Sequence, residues 1–309
     1  MSTIDCFYNK IYKKIGKIIY YRFPRLRNKM PDKMYLQCYW RERLPQSGEL
    51  DLDNPQTFNE KLNWLKLYYH NPLLHRLVDK YEVKKYVEDK IGGGIIIQTL
   101  GVWNTVEEID LDSLPNQFVL KCTHDSGSVI VCTDKDKFDI EKAKNELKKR
   151  QAITDYYYRN REWAYKGVKP RIIAEEYIDS LGKSDSVEYK MTCINGKVRM
   201  ITVCSGIAHV EYDKRHNDHF DQEGNRLSFY ANYTPAGKEL PSKEVLSALI
   251  DICEKLTKNL PECRVDLYVH NGNIYFGEMT FYTWGGFINY TPREWDYKMG
   301  EWFDLPPKY

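Results

Sequence analysis

The chain has 309 residues, 42% hydrophobic and 29% charged with 25 Tyr, enough apolar material to fill a substantial core in one composite or two domains and too much for disorder. No run approaches the ~18 apolar residues of a membrane-spanning helix. The N-terminus lacks an apolar stretch and cleavage site of the secretory kind, and the eight cysteines form no CxxC or zinc-like spacing, so a cytoplasmic, disulfide-free protein is expected.

The net charge of +2 is unevenly spread. Residues 1–34 hold nine Lys/Arg against two acids, or +7, which leaves −5 for the rest. Over 4–19, Ile4, Phe7, Tyr8, Ile11, Ile15, Ile18 and Ile19 recur at helical spacing, with Lys10, Lys13, Lys14 and Lys17 opposite. A basic amphipathic helix suits an anionic membrane surface at the inner face; it equally suits docking on its own domain with the basic face solvated. Nucleic acid is not expected, because the basic residues stay in this one segment and no recognised motif accompanies them.

From 34 to about 75 the pattern is helical and irregular. Thr57 and Glu60 have the spacing of a capping box, followed by an apolar stripe of Leu62, Leu65, Tyr68 and Tyr69. Asp79 predicts the cap of a helix over 80–90 that ends at Gly92-Gly93-Gly94. Ile95-Ile96-Ile97 reads as a short buried strand. Residues 116–132 read as a strand ending in Lys121, the polar loop His124-Asp125-Ser126-Gly127-Ser128, and a second strand. A strand-end Lys and a Ser-Gly-Ser loop suit phosphate oxygens, although Ser-Gly-Ser is also an ordinary hairpin turn and the GxxxxGK[ST] spacing is absent.

A charged helix is predicted from 137 to about 150, a strand over 171–178, and a hairpin over 186–204 around Asn195-Gly196. Residues 209–229 are polar with little periodicity. Ser242 opens a helix over 243–259 with Leu246, Leu249, Ile250, Cys253 and Leu256 on one face.

The C-terminal third then gives a hairpin, Arg264 to Tyr268 and Ile274 to Thr280 around Asn271-Gly272-Asn273. With a three-residue loop, Asp266 faces Glu278 and Arg264 faces Thr280, on one face and with Cβ atoms about 5 Å apart. Two carboxylates so close repel unless a divalent cation lies between them and an Arg offsets the charge. A two-residue turn without a bulge would put them on opposite faces. A solvated charged face is the plainer alternative.

In order, these pieces resemble the ATP-grasp superfamily, specifically its branch similar to the teichuronopeptide biosynthesis protein TupA, over roughly residues 75–290. The resemblance implies an α+β ATP-grasp fold, two subdomains clasping a nucleotide, after a helical N-terminal region. It implies segments 1–34, 35–78, 79–175 and 176–309, the last two being the subdomains. Asp79-Lys80 resembles the opening of the nucleotide region and Lys121 its second phosphate Lys, with Ser126, Gly127 and Ser128 in the covering loop. Glu175, Glu176, Tyr177 and Ile178 look like the adenine-reading hinge and Glu188 the ribose carboxylate. Asp266 and Glu278 match the magnesium ligands, with Thr280 where many members have Asn, and Arg264 matches the cation beside the transferred group. Lys214 and Arg215 are cations suited to phosphate or to an acidic acceptor, or simply part of a charged loop.

The implied activity is an ATP- and Mg²⁺-dependent ligase that joins an amino acid or amine to a sugar carboxylate through an acylphosphate, in surface polysaccharide biosynthesis. The alternatives are an ATP-dependent kinase of a sugar hydroxyl and a metal-dependent glycosyltransferase. For the last, Asp51-Leu52-Asp53 and Asp134-Lys135-Asp136 supply the Asp-x-Asp pattern.

Overall fold

The structure is a computed structural model, and it describes residues 14–154, 156–179, 187–206 and 215–309. Most of the predicted basic helix lies outside the described residues, but 14–22 are helical. This turn docks on α1 (Asp32–Arg43). Gly16 sits on Met34, where a Cβ would come within 2.6 Å of the Met Cγ, and Tyr20 is buried edge-on to Tyr35 with its hydroxyl donating to Glu42 at 2.7 Å. Beneath it Arg161, 1% exposed, lies 2.9 Å from Asp32 and donates to the Arg27 carbonyl at 2.8 Å, so the buried charge is paired.

The capping box forms as its spacing predicts: Glu60 N donates to Thr57 and Thr57 N to Glu60, opening α2 (Phe58–Tyr68). Two short helices follow, α3 (Leu73–Val78) and α4 (Glu82–Ile91), the latter ending at Gly92 with φ +86°. Ile95-Ile96-Ile97 corrects the strand expectation. Gly93–Ile95 is a 3-10 turn and Ile96 makes one isolated bridge to Phe276, because the glycines before it turn the chain before a ladder can start.

Chain order then gives β1 (Thr99–Trp103), β2 (Phe118–Cys122), β3 (Ile130–Cys132), α5 (Ile140–Gln151), α6 (Tyr156–Asn160) and β4 (Ile172–Glu176). These strands form an antiparallel sheet of order β1-β4-β2-β3. Leu147 of α5 packs with Phe118, Leu120, Ile172 and Ala174 in a core of its own.

The larger sheet has order β10-β9-β5-β6-β7, from β5 (Glu188–Ile194), β6 (Lys197–Ser205), β7 (His216–Phe220), β9 (Glu262–His270) and β10 (Asn273–Thr280). α7 (Lys243–Thr257) covers one face, burying Leu249, Cys253 and Leu256. A two-stranded pair, β8 (Tyr230–Ala231) with β11 (Tyr290–Thr291), and α8 (Glu294–Glu301) complete the fold. Strand β7 lies inside the polar 209–229 stretch, where periodicity gave no strand. The seven described cysteines are free and buried, and among the described residues no helix is long and apolar enough to cross a membrane.

Candidate active site

The hairpin β9–β10 turns on two residues, Asn271 (φ +50°) and Gly272 (φ +78°), not three. Left alone, that turn would place Asp266 and Glu278 on opposite faces. A bulge at Gly277 restores the expected pairing, Glu278 opposite Asp266 and Thr280 opposite Arg264. Only glycine fits the bulge: a Cβ there would stand 2.9 Å from the Tyr268 ring and 3.0 Å from the Asp266 carbonyl oxygen.

Registers across the sheet extend this pair into a grid on the face away from α7. Arg264 pairs with Thr192, Asp266 with Lys190 and Tyr268 with Glu188; Lys190 then pairs with Thr202 and Thr202 with His219. Arg264 donates to both oxygens of Asp266 (2.6 and 2.7 Å), to Glu278 Oε1 and to Thr280 Oγ1 (3.1 Å each). Lys190 Nζ reaches Asp266 at 2.7 Å and Glu188 at 2.5 Å, and the Tyr268 hydroxyl donates to Glu188 at 2.7 Å.

Asp266 is buried, and Arg264 and Lys190 beside it are partly buried. Burial pushes the Asp266 carboxyl up, but Arg264 and Lys190 outweigh it and hold the group below its usual range. Burial opposes the charge of Arg264 and Lys190 too, yet the carboxylates, Asp266 first, raise both.

A second cluster lies on the smaller sheet. Glu175 accepts from Lys84 at 2.6 Å and from Lys121 at 2.7 Å. Burial favours its neutral form, but the two lysines prevail and lower its pKa. The loop between β2 and β3 is tied down from inside. Lys80 Nζ donates to the Asp125 carbonyl, Ser128 donates to the Asp125 carboxylate, and Cys122 N donates to Ser128 Oγ at 2.8 Å. Ser126 and Gly127 are left exposed at the tip, Gly127 at φ +91°. Asp79 accepts from the backbone of Tyr81 and Glu82 where α4 begins, and binds Arg171 at 2.9 Å.

The large-sheet grid and the tip of the β2–β3 loop meet at a cavity of about 410 Å³. Ser126 of the loop, Glu188, Lys190 and Arg264 of the large sheet, and Arg215 all line it. Thus Ser126, Glu188, Arg215 and Arg264 share one space, with Asp266, Glu278 and Thr280 bonded directly to Arg264. Lys121 and Glu175 pair with each other instead, and Glu176, Tyr177 and Ile178 lie at the β4 end outside the cavity lining. Lys214 lies outside the described residues. Sequence reading missed Lys190 and Lys84. Both were signalled, Lys190 by its place two residues past Glu188 on an alternating strand, and Lys84 one helical turn beyond Lys80.

The donors suit magnesium. Asp266, Glu278 and Thr280 offer hard oxygens from adjacent strands, too few for a closed cage but enough for an ion that also takes phosphate and water. No group of three or more His, Cys, Asp or Glu positioned to hold a metal occurs among the described residues. The Asp-x-Asp stretches do other work. Asp51 accepts from the backbone of Asp53 and Asn54, and Asp134 from that of Asp136, each closing a turn.

A family profile described as TupA-like ATP-grasp matches residues 60–304. The chain belongs to the TupA-like ATP-grasp family. Its fold is accordingly α+β and ATP-grasp.

Among solved structures, D-alanine–D-alanine ligase from Bacillus anthracis complexed with ATP is similar at 20% identity and TM-score 0.38, over 67% of this chain and 55% of that one. D-cycloserine synthetase DcsG is similar at 15% and 0.43, over 75% and 71%. D-alanine–D-alanine ligase from Helicobacter pylori is similar at 15% and 0.39, over 75% and 60%. This chain therefore spans little more than half the length of the first of these. No curated protein matches it.

Proposed function

We propose that the protein is a ligase that phosphorylates a sugar carboxylate with ATP and joins it to an amino acid or other amine in surface polysaccharide biosynthesis. The observation that carries this reading is the set Arg264, Asp266, Glu278 and Lys190, bonded together on one sheet face and opening on the cavity that Ser126 also lines.

Phosphoryl transfer asks a protein mainly for positioning and for neutralisation of oxygen charge. Asp266 and Glu278, with Thr280 beside them, would hold magnesium, which when bound neutralises phosphate oxygens. Lys80, Lys121 and Lys190 would position phosphates, with Ser126 to Ser128 covering the γ-phosphate. Glu175 to Ile178 would read adenine and Glu188 the ribose. Arg264, and with it Lys214 and Arg215, would face the acceptor carboxylate. In the first step a carboxylate oxygen attacks the γ-phosphorus and ADP leaves; in the second the amine attacks the acyl carbon and phosphate leaves. We place the nucleotide between two subdomains, 79–175 and 176–309, behind the 1–34 and 35–78 segments.

The test is thermal stability with Mg²⁺ and ATP, ADP or a uridine diphosphate-sugar, since a bound ligand raises apparent stability by mass action. An ATP shift that needs magnesium and is lost in Glu278→Ala is expected. No ATP shift, or a larger one with the nucleotide-sugar, would sink the reading in favour of a glycosyltransferase.

We also propose that the N-terminal segment rests on an anionic membrane. Ile15, Ile18, Tyr21, Phe23 and Leu26 are 41–52% exposed, and Lys14, Lys17, Arg22, Arg25 and Lys29 around them are exposed as well. Apolar side chains ringed by cations are the surface an anionic bilayer would cover. Liposome flotation, set out below, tests it.

A further inference from the structure

Besides its cations, Lys190, Arg215 and Arg264, the cavity has a neutral lining: Thr192, Thr202, Ser205, Asn217 and His219 on the sheet, then Tyr233, Trp284 and Tyr290. Two features there are costly for folding alone.

The first is Trp284, 46% exposed although it is among the largest apolar side chains, with its ring centroid 5.6 Å from that of Tyr233. Its backbone is left-handed (φ 53°, ψ 28°), as are Tyr282 (φ 56°), Gly285 (φ 63°) and Gly286 (φ 67°). An aromatic residue at positive φ is strained and persists only where its surroundings enforce it. They do so here. Glu262, buried, accepts from Tyr282 N at 2.8 Å and Thr283 Oγ1 at 3.0 Å, while Lys66 and Asn63 of α2 donate to the Gly285 and Gly286 carbonyls at 2.5 and 2.8 Å. The molecule spends a rigid scaffold on holding a half-exposed indole at a cavity.

The second is His219, 4% exposed. Its ring lies flat on Phe229 (4.5 Å, 7°), and its Nδ1 is 3.0 Å from Thr202 Oγ1, while Nε2 is buried without a hydrogen-bond partner. Burial holds the imidazole neutral, lowering its pKa to about 4. A buried polar atom left unpaired costs about 1–3 kcal/mol, which a hydroxyl of an occupant would relieve.

We infer that Trp284 and Tyr233 form a stacking platform for a pyranose ring, that His219 positions one of its hydroxyls, and that these residues select a glycosidic acid over an open-chain acid. The inference rests on the ligase reading and names the specificity determinants of the same site. An apolar ring face suits an indole, hydroxyls suit the Thr, Ser, Asn and His edge, and a carboxylate on the ring would point to Arg264.

The test is saturation-transfer NMR and titration on the full chain with Mg²⁺ and ADP, with the methyl glycoside of a uronic acid as probe and glutarate as the open-chain control. The glycoside should bind about tenfold or more tightly than glutarate, with the strongest transfer to its ring protons. Trp284→Asn removes the ring but keeps a residue that tolerates positive φ. It should weaken the glycoside about tenfold and leave glutarate within about twofold. Tyr233→Ala, outside the strained turn, should weaken the glycoside likewise and carries the test should Trp284→Asn fail to melt cooperatively.

Equal binding of glycoside and glutarate, or glycoside affinity unchanged in a folded variant, overturns the inference. The Mg²⁺–ATP thermal shift, measured without any sugar, separates the two levels. If it is present the nucleotide site stands whatever the glycosides do, and if it is absent from the wild type both readings fall.

Discussion

Asp266 is held by two cations. Both its oxygens are bonded to Arg264, and one also to Lys190. Removing it altogether would strip both cations of a shared partner, leaving Lys190 to Glu188 and Arg264 to Glu278, and would cost stability as well as function. Glu278 and Lys190 are better probes. Glu278→Gln keeps the shape but removes the charge of the proposed metal ligand, and turnover is expected to fall about a hundredfold or more, with part of the loss recovered at high magnesium; unchanged turnover over a magnesium titration would contradict its assignment. Lys190→Met should lower ATP-dependent turnover by a similar factor, read as ADP release; wild-type turnover in a folded Lys190→Met protein would exclude Lys190 from the machinery. Alternation along one strand made the shared face of Arg264 and Asp266 legible in the sequence, whereas Glu278 was brought opposite Asp266 there by a three-residue loop and is brought there in the structure by a two-residue turn and a bulge. Lys190 was passed over because, without the β5–β9 register, nothing in the sequence says which strand lies beside Asp266.

Among elements, the β9–β10 hairpin shows how narrowly the site is specified. A two-residue turn and a one-residue bulge each shift the pairing, and only their combination aligns the two carboxylates. Gly277→Ala should therefore destabilise the fold by about 1–3 kcal/mol in urea and abolish the magnesium-dependent ATP shift; a retained shift would show that the register does not matter. The turn was visible in Asn-Gly, whereas the bulge depends on contacts between Gly277 and Tyr268 that no local pattern encodes. Strand β7 was illegible for a related reason. Its His216-Asn217-Asp218-His219 run is polar because Asn217 and His219 line the cavity and Asp218 accepts from the backbone of residues 236–238, so function removed the hydrophobic alternation.

Glu262, which braces the strained turn, gives that element a pH signature. Burial raises its pKa from 4.5 to about 7. Across that window the folded chain keeps a proton that the unfolded chain has lost, so stability falls as pH rises from 4.5 through 7, by about 3 kcal/mol at most. Glu262→Gln should remove this component, read as a shallower fall in urea midpoint between pH 5 and 8. An identical slope in the variant would show that the carboxyl does not titrate there.

At the scale of the whole molecule, the smaller sheet carries the Ser126 loop with Lys121 and Glu175, the larger carries Glu188, Lys190, Arg264, Asp266 and Glu278, and Ser126 and the large-sheet residues share one cavity. The helical N-terminal region, legible only as irregular helix, braces both the exposed patch and the Trp284 turn. The charge asymmetry leads to a physical expectation: Ile18→Asp with Phe23→Asp should sharply reduce flotation on liposomes containing anionic lipid while leaving the Mg²⁺–ATP shift intact. Equal flotation of variant and wild type would return residues 14–29 to a purely docking role.

The measurement closest to the central claim is hydroxamate formation. Hydroxylamine stands in for the amine, and the enzyme is given Mg²⁺, ATP and uronic acid glycosides whose carboxylate carries ¹⁸O. A carboxylate–amine ligase should release ADP, form the hydroxamate and pass ¹⁸O from the carboxylate to the released phosphate. ADP release with phosphate retained on a sugar hydroxyl, and neither hydroxamate nor labelled phosphate, would contradict the account and identify a kinase.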